Sequence, residues 1–304
     1  MALLSGRGRV RPDPARRPPR AQPGSGGRRP VAGWGPGRFP GGGGMVRSGA
    51  RVLRDDLGRA VRLPRRVRRV VSLVPSLTEA IAETGPELLV GCTKWCAHPP
   101  GLAAERLRGT KNPHLRRIAE IAPDLVVANK EENRERHVAE LERAGVPVWV
   151  TDVGTVPGAL RSLRRLLVEV CGLPEPGWLA GAAAAWGGPV PAPRLRVAVP
   201  IWRDPWMVVG GGTFAGDVLA RLGAANVFGG EARYPATDPA GIAARSPDAV
   251  LLPDEPYRFT ADDGPEAFPG IPVVLLSGRD LTWYGPSLVA AGSRLAEALA
   301  PPPR

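Results

Sequence analysis

Aromatic side chains stand in the loops of this chain rather than in its apolar runs. Trp95, Trp202, Trp206, Tyr257, Trp283 and Tyr284 all lie in stretches marked by Pro and Gly. Indole and phenol rings so placed can stack on a flat ligand, each burying roughly 150 Å² worth on the order of 4 kcal/mol before association costs. The same rings could instead pack the loops together. Other chemistry has thinner support. Gly210-Gly211-Gly212-Thr213 ahead of a helical stretch resembles a phosphate-binding turn, but P-loop and G-x-G-x-x-G spacings are missing. A tight turn ending in an N-cap threonine also accounts for it. Cys92, Cys96 and His98 lack a fourth ligand nearby, so neither a zinc site nor a disulfide is assigned. His98, ahead of two prolines, reads as a cleft-rim residue, and His114 and His137 as exposed helical positions. Lys130, Glu131 and Glu132 open a predicted helix, where acids suit the dipole. No G-x-S-x-G elbow occurs.

Such loops need a scaffold, and the chain writes one twice. Residues 118–152, IAEIAPDLVVANKEENRERHVAELERAGVPVWVTD, are echoed by 242–277, IAARSPDAVLLPDEPYRFTADDGPEAFPGIPVVLLS. Each copy runs from a short helix into Pro-Asp, an apolar strand, a polar loop, Gly-Val/Ile-Pro and a second apolar strand. Upstream, 70–76 and 197–202 are strands leading towards helix starts at Ser76 and Thr213. The runs 125–128, 148–150, 250–252 and 273–276 are continuously apolar. A strand wetted on one face would alternate, so these predict parallel strands covered on both sides. The expected class is α/β: two similar lobes with mainly parallel sheets, joined by a helical connector. Ligands in such sheets bind beyond the strands' carboxyl ends, and two lobes facing by those ends make an inter-lobe cleft.

In the first lobe Ser76-Leu-Thr-Glu79 reads as a capping box opening a helix that stops at Gly85. A strand near 89–92 leads to Trp95, and helices over 115–122 and 131–144 flank the strand at 125–128. Leu160, Leu163, Leu167 and Val170 have helical spacing for packing on that lobe. Ala-rich 178–186 with the Pro-rich run to Pro193 is the connector. In the second lobe Phe214, Val218, Leu219 and Leu222 form a helix stripe, 226–228 a further strand, and Pro286 opens a last helix bearing Leu288, Ala291, Leu295 and Leu299.

The 304 residues accommodate two cores. Residues 1–44, with 8 Pro and 12 Gly, are expected to be disordered. Then come a lead-in at 45–68, an N-terminal lobe at 69–154, the connector at 155–194 and a C-terminal lobe at 195–304. The net charge of +12 misleads: residues 1–69 hold 18 Arg and 3 Asp, leaving −3 on the remaining 235. That argues against nucleic acid as a partner. The Arg-Arg pairs at 16–17 and 28–29 precede no apolar run, so no signal sequence is read. Met45 is an alternative start, and the cytosol is the default location from sequence. No apolar stretch approaches the roughly 18 residues of a membrane span.

The segments VVSLVPSLTEAIAETG, GTKNPHLRRIAEIAPDLVVANKEENRERHVAELERAGVPVWVTD and ARSPDAVLL resemble the class III substrate-binding proteins. These are helical-backbone receptors for cobalamin, haem and iron-siderophores that deliver cargo to ABC importers outside the cytoplasm. The resemblance covers about residues 52 to 300 and is greatest to cobalamin-binding members. It implies two α/β lobes joined by one long helix, little hinge motion and a chelate gripped between the lobes. By position Trp95 occupies the family's aromatic site after the second strand, Tyr234 matches an aromatic-Pro, and Trp283 and Tyr284 fall among polar and aromatic cleft positions. Cobalt ligation is not implied. Glu135 matches one of two carboxylates that members present to the permease, while the second position reads Ala240. The connector over 178–186, roughly 13 Å as a helix, is shorter than the family's rod.

The expectation is a non-catalytic receptor for a corrinoid or metal chelate, monomeric, with no cofactor or metal of its own and with an ABC permease as a possible partner. Its candidate ligand-binding residues are Ser76, Trp95, His98, Lys111, Asn112, Glu131, Trp202, Trp206, Tyr234, Tyr257, Trp283 and Tyr284. Lys111 and Asn112 would hold the cargo's polar edges. One rival keeps the fold as a cytosolic corrinoid or haem carrier or sensor without a permease. Another is an enzyme of corrinoid metabolism with Glu131, Lys130 or His98 as acid-base group.

Overall fold

The computed structural model describes residues 50–300, and the expectations for residues 1–44 and Met45 lie outside them. Of the lead-in, Arg51–Arg54 (β1) and Ala60–Leu63 (β2) form an antiparallel hairpin. Asp55 closes it, accepting from the N–H groups of Leu57 and Arg59 and, across to the first lobe, of Val150. The first lobe follows as Val70–Ser72 (β3), Pro75–Ala82 (α1), Leu89–Cys92 (β4), Glu105–Arg106 (β5), the antiparallel pair Arg108–Gly109 (β6) and Asn112–Pro113 (β7), Leu115–Ile121 (α2), Leu125–Asn129 (β8), Glu135–Arg143 (α3) and Val148–Thr151 (β9).

Val156–Arg164 (α4) runs into a π-helical turn over Arg165–Val170, and Gly177–Trp186 (α5) turns back beside it. The second lobe is Leu195–Ala198 (β10), Pro200–Trp202 (β11), Met207–Val208 (β12), Phe214–Arg221 (α6), Ala224–Asn226 (β13), Pro239–Ala243 (α7), Ala249–Pro253 (β14), Val273–Leu276 (β15), Gly278–Thr282 (α8) and Leu288–Ala298 (α9).

Two parallel sheets carry the lobes, in the orders β5-β4-β3-β8-β9 and β13-β10-β14-β15. Without β5 the two orders are the same, so the duplicated sequence is a duplicated sheet. Its Pro-Asp has one physical task in both copies. Asp124 accepts from the N–H groups of Arg68 and Arg69 at the start of β3, and Asp248 from that of Arg196 in β10. Each Asp also donates its own N–H back to the neighbouring strand's carbonyl. The residue before each Pro, Ala122 and Ser246, takes a left-handed backbone, which at Ala122 caps and ends α2 and at Ser246 turns the chain just beyond α7. β8, β9 and β14 are buried on both faces as their apolar runs require, whereas β15 is a sheet edge with Leu275 exposed.

Several local expectations change. Ser76 does not cap: α1 starts with Pro75 in its first turn behind Val74, which puts Ser76 inside the helix, and Glu79 turns to the other lobe. Thr213 does cap α6, its hydroxyl accepting from the Gly216 N–H at 3.1 Å. α3 begins at Glu135, not 131. The long connecting piece is α4 with its π turn, 156–170, rather than 178–186 alone. At 1.5 Å per residue it spans roughly 22 Å, with Leu163, Leu166, Leu167 and Val170 buried. Each such leucine contributes about 1.5–3 kcal/mol by burial. α5 ties the lobes: Trp178 Nε1 donates to Thr84 Oγ1 in the first, and Trp186 Nε1 to the Leu288 carbonyl in the second. One apolar cluster runs unbroken from Val70 and Leu125 through these helices to Val197, Leu251 and Leu288.

Candidate functional site

The turn after β8 is built by two asparagines. Asn129 Oδ1 accepts from the N–H groups of Glu131 (2.8 Å) and Glu132 (3.3 Å), and Asn133 Oδ1 accepts from the Asn129 N–H at 2.9 Å. Asn133 Nδ2 donates to the Thr110 carbonyl, and Asn129 Nδ2 to Thr151. These bonds satisfy the backbone of Glu131 and Glu132 without a helix, which is why α3 starts later. They also fix both glutamates at the strand's carboxyl end, where the sheets face one another.

Glu131 reaches across to the second lobe. Its carboxylate pairs with Arg233 and accepts from Tyr234 Oη at 2.7 Å, while Lys111 Nζ donates to its carbonyl at 2.6 Å. Burial, then the Glu131 charge, pushes the Tyr234 phenol up. The Gly-rich turn explains how Arg233 arrives there. Gly210 donates its N–H to the Arg233 carbonyl and Gly211 accepts from the Arg233 N–H. A Cβ on Gly210 would meet the Glu231 carbonyl oxygen at 2.5 Å, and one on Gly211 the Gly229 oxygen at 2.3 Å. The glycines admit a neighbouring backbone.

A second clasp lies beside the first. Glu79, on α1, pairs with Arg279 of α8 and accepts from Ser287 Oγ at 3.1 Å. Gly285 permits the approach, since a Cβ there would sit 2.9 Å from Glu79 Oε2. Trp283 lies under the Arg279 guanidinium and edge-on to His98 of the first lobe, ring centroids 5.6 Å apart. Tyr284 packs edge-on to Phe214. Its hydroxyl is buried without a hydrogen-bond partner, as is Ser76 Oγ beside it. Glu255, after β14, leaves Oε1 buried and unpartnered, with the Trp283 indole in reach of its carboxylate. Burial raises the Glu255 pKa, and burial likewise pushes the Glu132 carboxyl up to about 7, the nearby Lys111 pulling the other way.

The aromatic residues therefore divide. Trp95 is 58 % and Trp202 44 % exposed, each in a segment beyond the carboxyl end of its lobe's strands. Lys94 lies over the Trp95 ring at 4.5 Å. Tyr257 is half-buried, edge-on to Trp202 at 5.8 Å, its hydroxyl donating to Asp263. Trp206 is not at the cleft: stacked on Phe259 and edge-on to Phe268, it belongs to a core of the second lobe. Trp283 and Tyr284 lie between the lobes but are 7 % and 5 % exposed, so they wall the interface rather than stand at its mouth.

Asn112 is exposed on β7. Cys92 and Cys96 are free and buried, Arg106 donating to Cys92 Sγ at 3.1 Å. Cys96 is the more acidic thiol because Cys92, Thr78 and Thr93 hydrogen-bond to it. His98 faces Trp283 instead, and no group of three potential metal ligands forms among the described residues. Reading the sequence missed Glu79, Arg233, Glu255 and Arg279. The repeat held one signal: Glu131 and Glu255 stand at the same place in its two copies.

No protein-family model matches the chain. The vitamin B12-binding protein of Pectobacterium carotovorum subsp. carotovorum (strain PC1) is 24 % identical over 246 residues, covering 76 % of this chain and 88 % of that protein. The periplasmic vitamin B12-binding protein BtuF of Vibrio cholerae superposes with a TM-score of 0.61 at 17 % identity, covering 77 % and 96 % of the two chains. A periplasmic heme-binding protein from Pseudomonas aeruginosa gives 0.62 at 22 % identity, covering 78 % and 94 %. All three are named as binding proteins. With its paired sheets of one strand order and the helical spine between them, the chain shares the two-lobed fold of these periplasmic binding proteins and is similar in sequence to the vitamin B12-binding proteins.

Proposed function

We propose that the chain is a non-catalytic substrate-binding protein that takes cobalamin, or a related corrinoid or metal chelate, between its lobes for ABC-type uptake. The observation that carries this reading is the pair Trp95 and Trp202, exposed on opposite lobes, each in the segment that follows the carboxyl end of a parallel strand. A tryptophan left in water presents apolar surface that a flat macrocycle can cover. The relatives named for vitamin B12 favour a corrinoid over haem.

Glu131 is engaged with Arg233 and Tyr234, so a cargo entering deeply exchanges those bonds for its own. Tyr257, Lys111, Asn112 and His98 line the approach; Ser76, Trp283 and Tyr284 form its inner wall. Docking to a permease would use Glu135, exposed at the start of α3. Ala240 brings no charge, and Asp238, the exposed cap of α7, is the carboxylate two residues before it. Among the described residues no helix is long and apolar enough to cross a membrane. Absorption titrations of the purified protein with cyanocobalamin, haem and ferric siderophores test the reading. Saturable binding with cobalamin tightest is the expected result, and no binding of any of the three sinks it.

A further inference from the structure

Resting on the reading that the cleft takes a corrinoid, we propose that Glu132 and Glu255, on opposite lobes of the interface, read the carboxamide N–H groups on the rim of the cargo and exclude the same macrocycle bearing carboxylates. The acids around the interface are not equivalent. Glu131 is held by Arg233 and Tyr234, Glu79 by Arg279 and Ser287, and Asp152 by Lys130. Among the described residues no hydrogen bond or ion pair engages the Glu132 carboxyl, which is partly open to solvent, whereas Glu255 Oε1 is buried without a partner. The two lie close enough that each lobe's acid acts on the other's: Glu255 on Glu132, and Glu79 on Glu255.

Two more unsatisfied groups sit with them. Tyr284 Oη and Ser76 Oγ are buried and form no well-aligned hydrogen bond, with Ser76 and Thr151 in reach of the phenol and the Tyr284 hydroxyl in the field of Glu132. Buried polar groups are rarely left without partners, so Glu255 Oε1, Tyr284 Oη and Ser76 Oγ together mark where a ligand's polar atoms belong, with Glu132 beside them. Two of the four are acceptors only when ionised, and the hydroxyls can accept as well. The two carboxylates call for donors, the Trp283 indole being, among the described residues, the one side-chain N–H in reach of Glu255. Lys111, the cation acting most strongly on Glu132, already donates to the Glu131 carbonyl, and Arg279 is held by Glu79. A primary carboxamide supplies two N–H donors. A carboxylate in its place supplies none and sets like charges together in a desolvated site, which is how a site discriminates by repulsion. Haem, whose polar groups are two propionates, meets the same obstacle as a corrin acid.

The test compares dicyanocobinamide with dicyanocobyrinic acid, one macrocycle with amide or acid side chains. Affinities are measured by calorimetry at pH 8 and in 0.5 M NaCl, where long-range charge is screened. The wild-type protein is expected to prefer the amide form by about 100-fold or more. Glu132→Gln with Glu255→Gln, whose amides accept and donate, should bring the ratio within about 10-fold while cobinamide still binds. Equal binding of the two corrinoids by wild type, or a ratio unchanged in the double variant, overturns the inference and leaves the corrinoid reading intact. Failure of both corrinoids and of cobalamin to bind overturns both.

Discussion

Glu132 is the residue whose ionisation the fold alters in a way that can be measured directly. Burial, with Cys96, Glu255 and Glu131 as negative neighbours and Lys111 as the opposing cation, keeps its proton on up to about pH 7. In the unfolded chain that proton leaves near the ordinary glutamate value of about 4.3. Between those values the folded state binds more protons than the unfolded one, so stability falls as pH rises through the window. Part of the Glu132 surface is open to solvent, and the loss is set at about 1–2 kcal/mol. Glu132→Gln should flatten the decline in urea midpoint between pH 4.5 and 7 relative to wild type; identical slopes would remove Glu132 as its source. None of this was legible in the sequence, where Lys130-Glu131-Glu132 reads as an acidic helix start. Asn129 and Asn133 supply a side-chain-held turn instead, a competition that helical periodicity does not register. The partners that define the interface are as remote: Glu131 meets Arg233 102 residues on, and Glu79 meets Arg279 200 residues on.

At the scale of elements the repeat was the dependable signal, because a strand buried on both faces leaves a continuous apolar run that polar loops interrupt cleanly. It located β8, β9 and β14, and the shared Asp124 and Asp248 clamps give it a physical cause. β13 was misplaced by two residues, at 226–228 instead of 224–226, since Phe228 is apolar but lies beyond the strand in its lobe's core. Loop location misled for Trp206 in the same way: ring packing on Phe259 and Phe268 buries it. Trp206→Ala should therefore cost about 3–5 kcal/mol of stability, seen as a lowered urea midpoint. A wild-type midpoint would contradict that assignment. Glu79→Gln, which leaves Arg279 and Ser287 without their acceptor, should cost about 1–3 kcal/mol; an unchanged midpoint would show the clasp to be inert.

Across the whole molecule the lobes are not independent bodies hung on a linker. The apolar cluster that begins under β3 and β8 continues through α4 and α5 into β10, β14 and α9, and two clasps close the opposite side. Calorimetry should give a single unfolding transition for 50–300, with calorimetric and van't Hoff enthalpies in agreement; two resolved transitions would separate the lobes. A scaffold this continuous suits capture of a rigid macrocycle on preset surfaces, with little closure needed. Isothermal titration of cyanocobalamin into the wild-type protein and into a Trp95→Ala, Trp202→Ala double variant tests this most directly. Wild type should bind with Kd below about 1 µM and the double variant at least about 100-fold more weakly with an unchanged melting temperature. Absence of wild-type binding, or equal affinity in the double variant, would contradict the account.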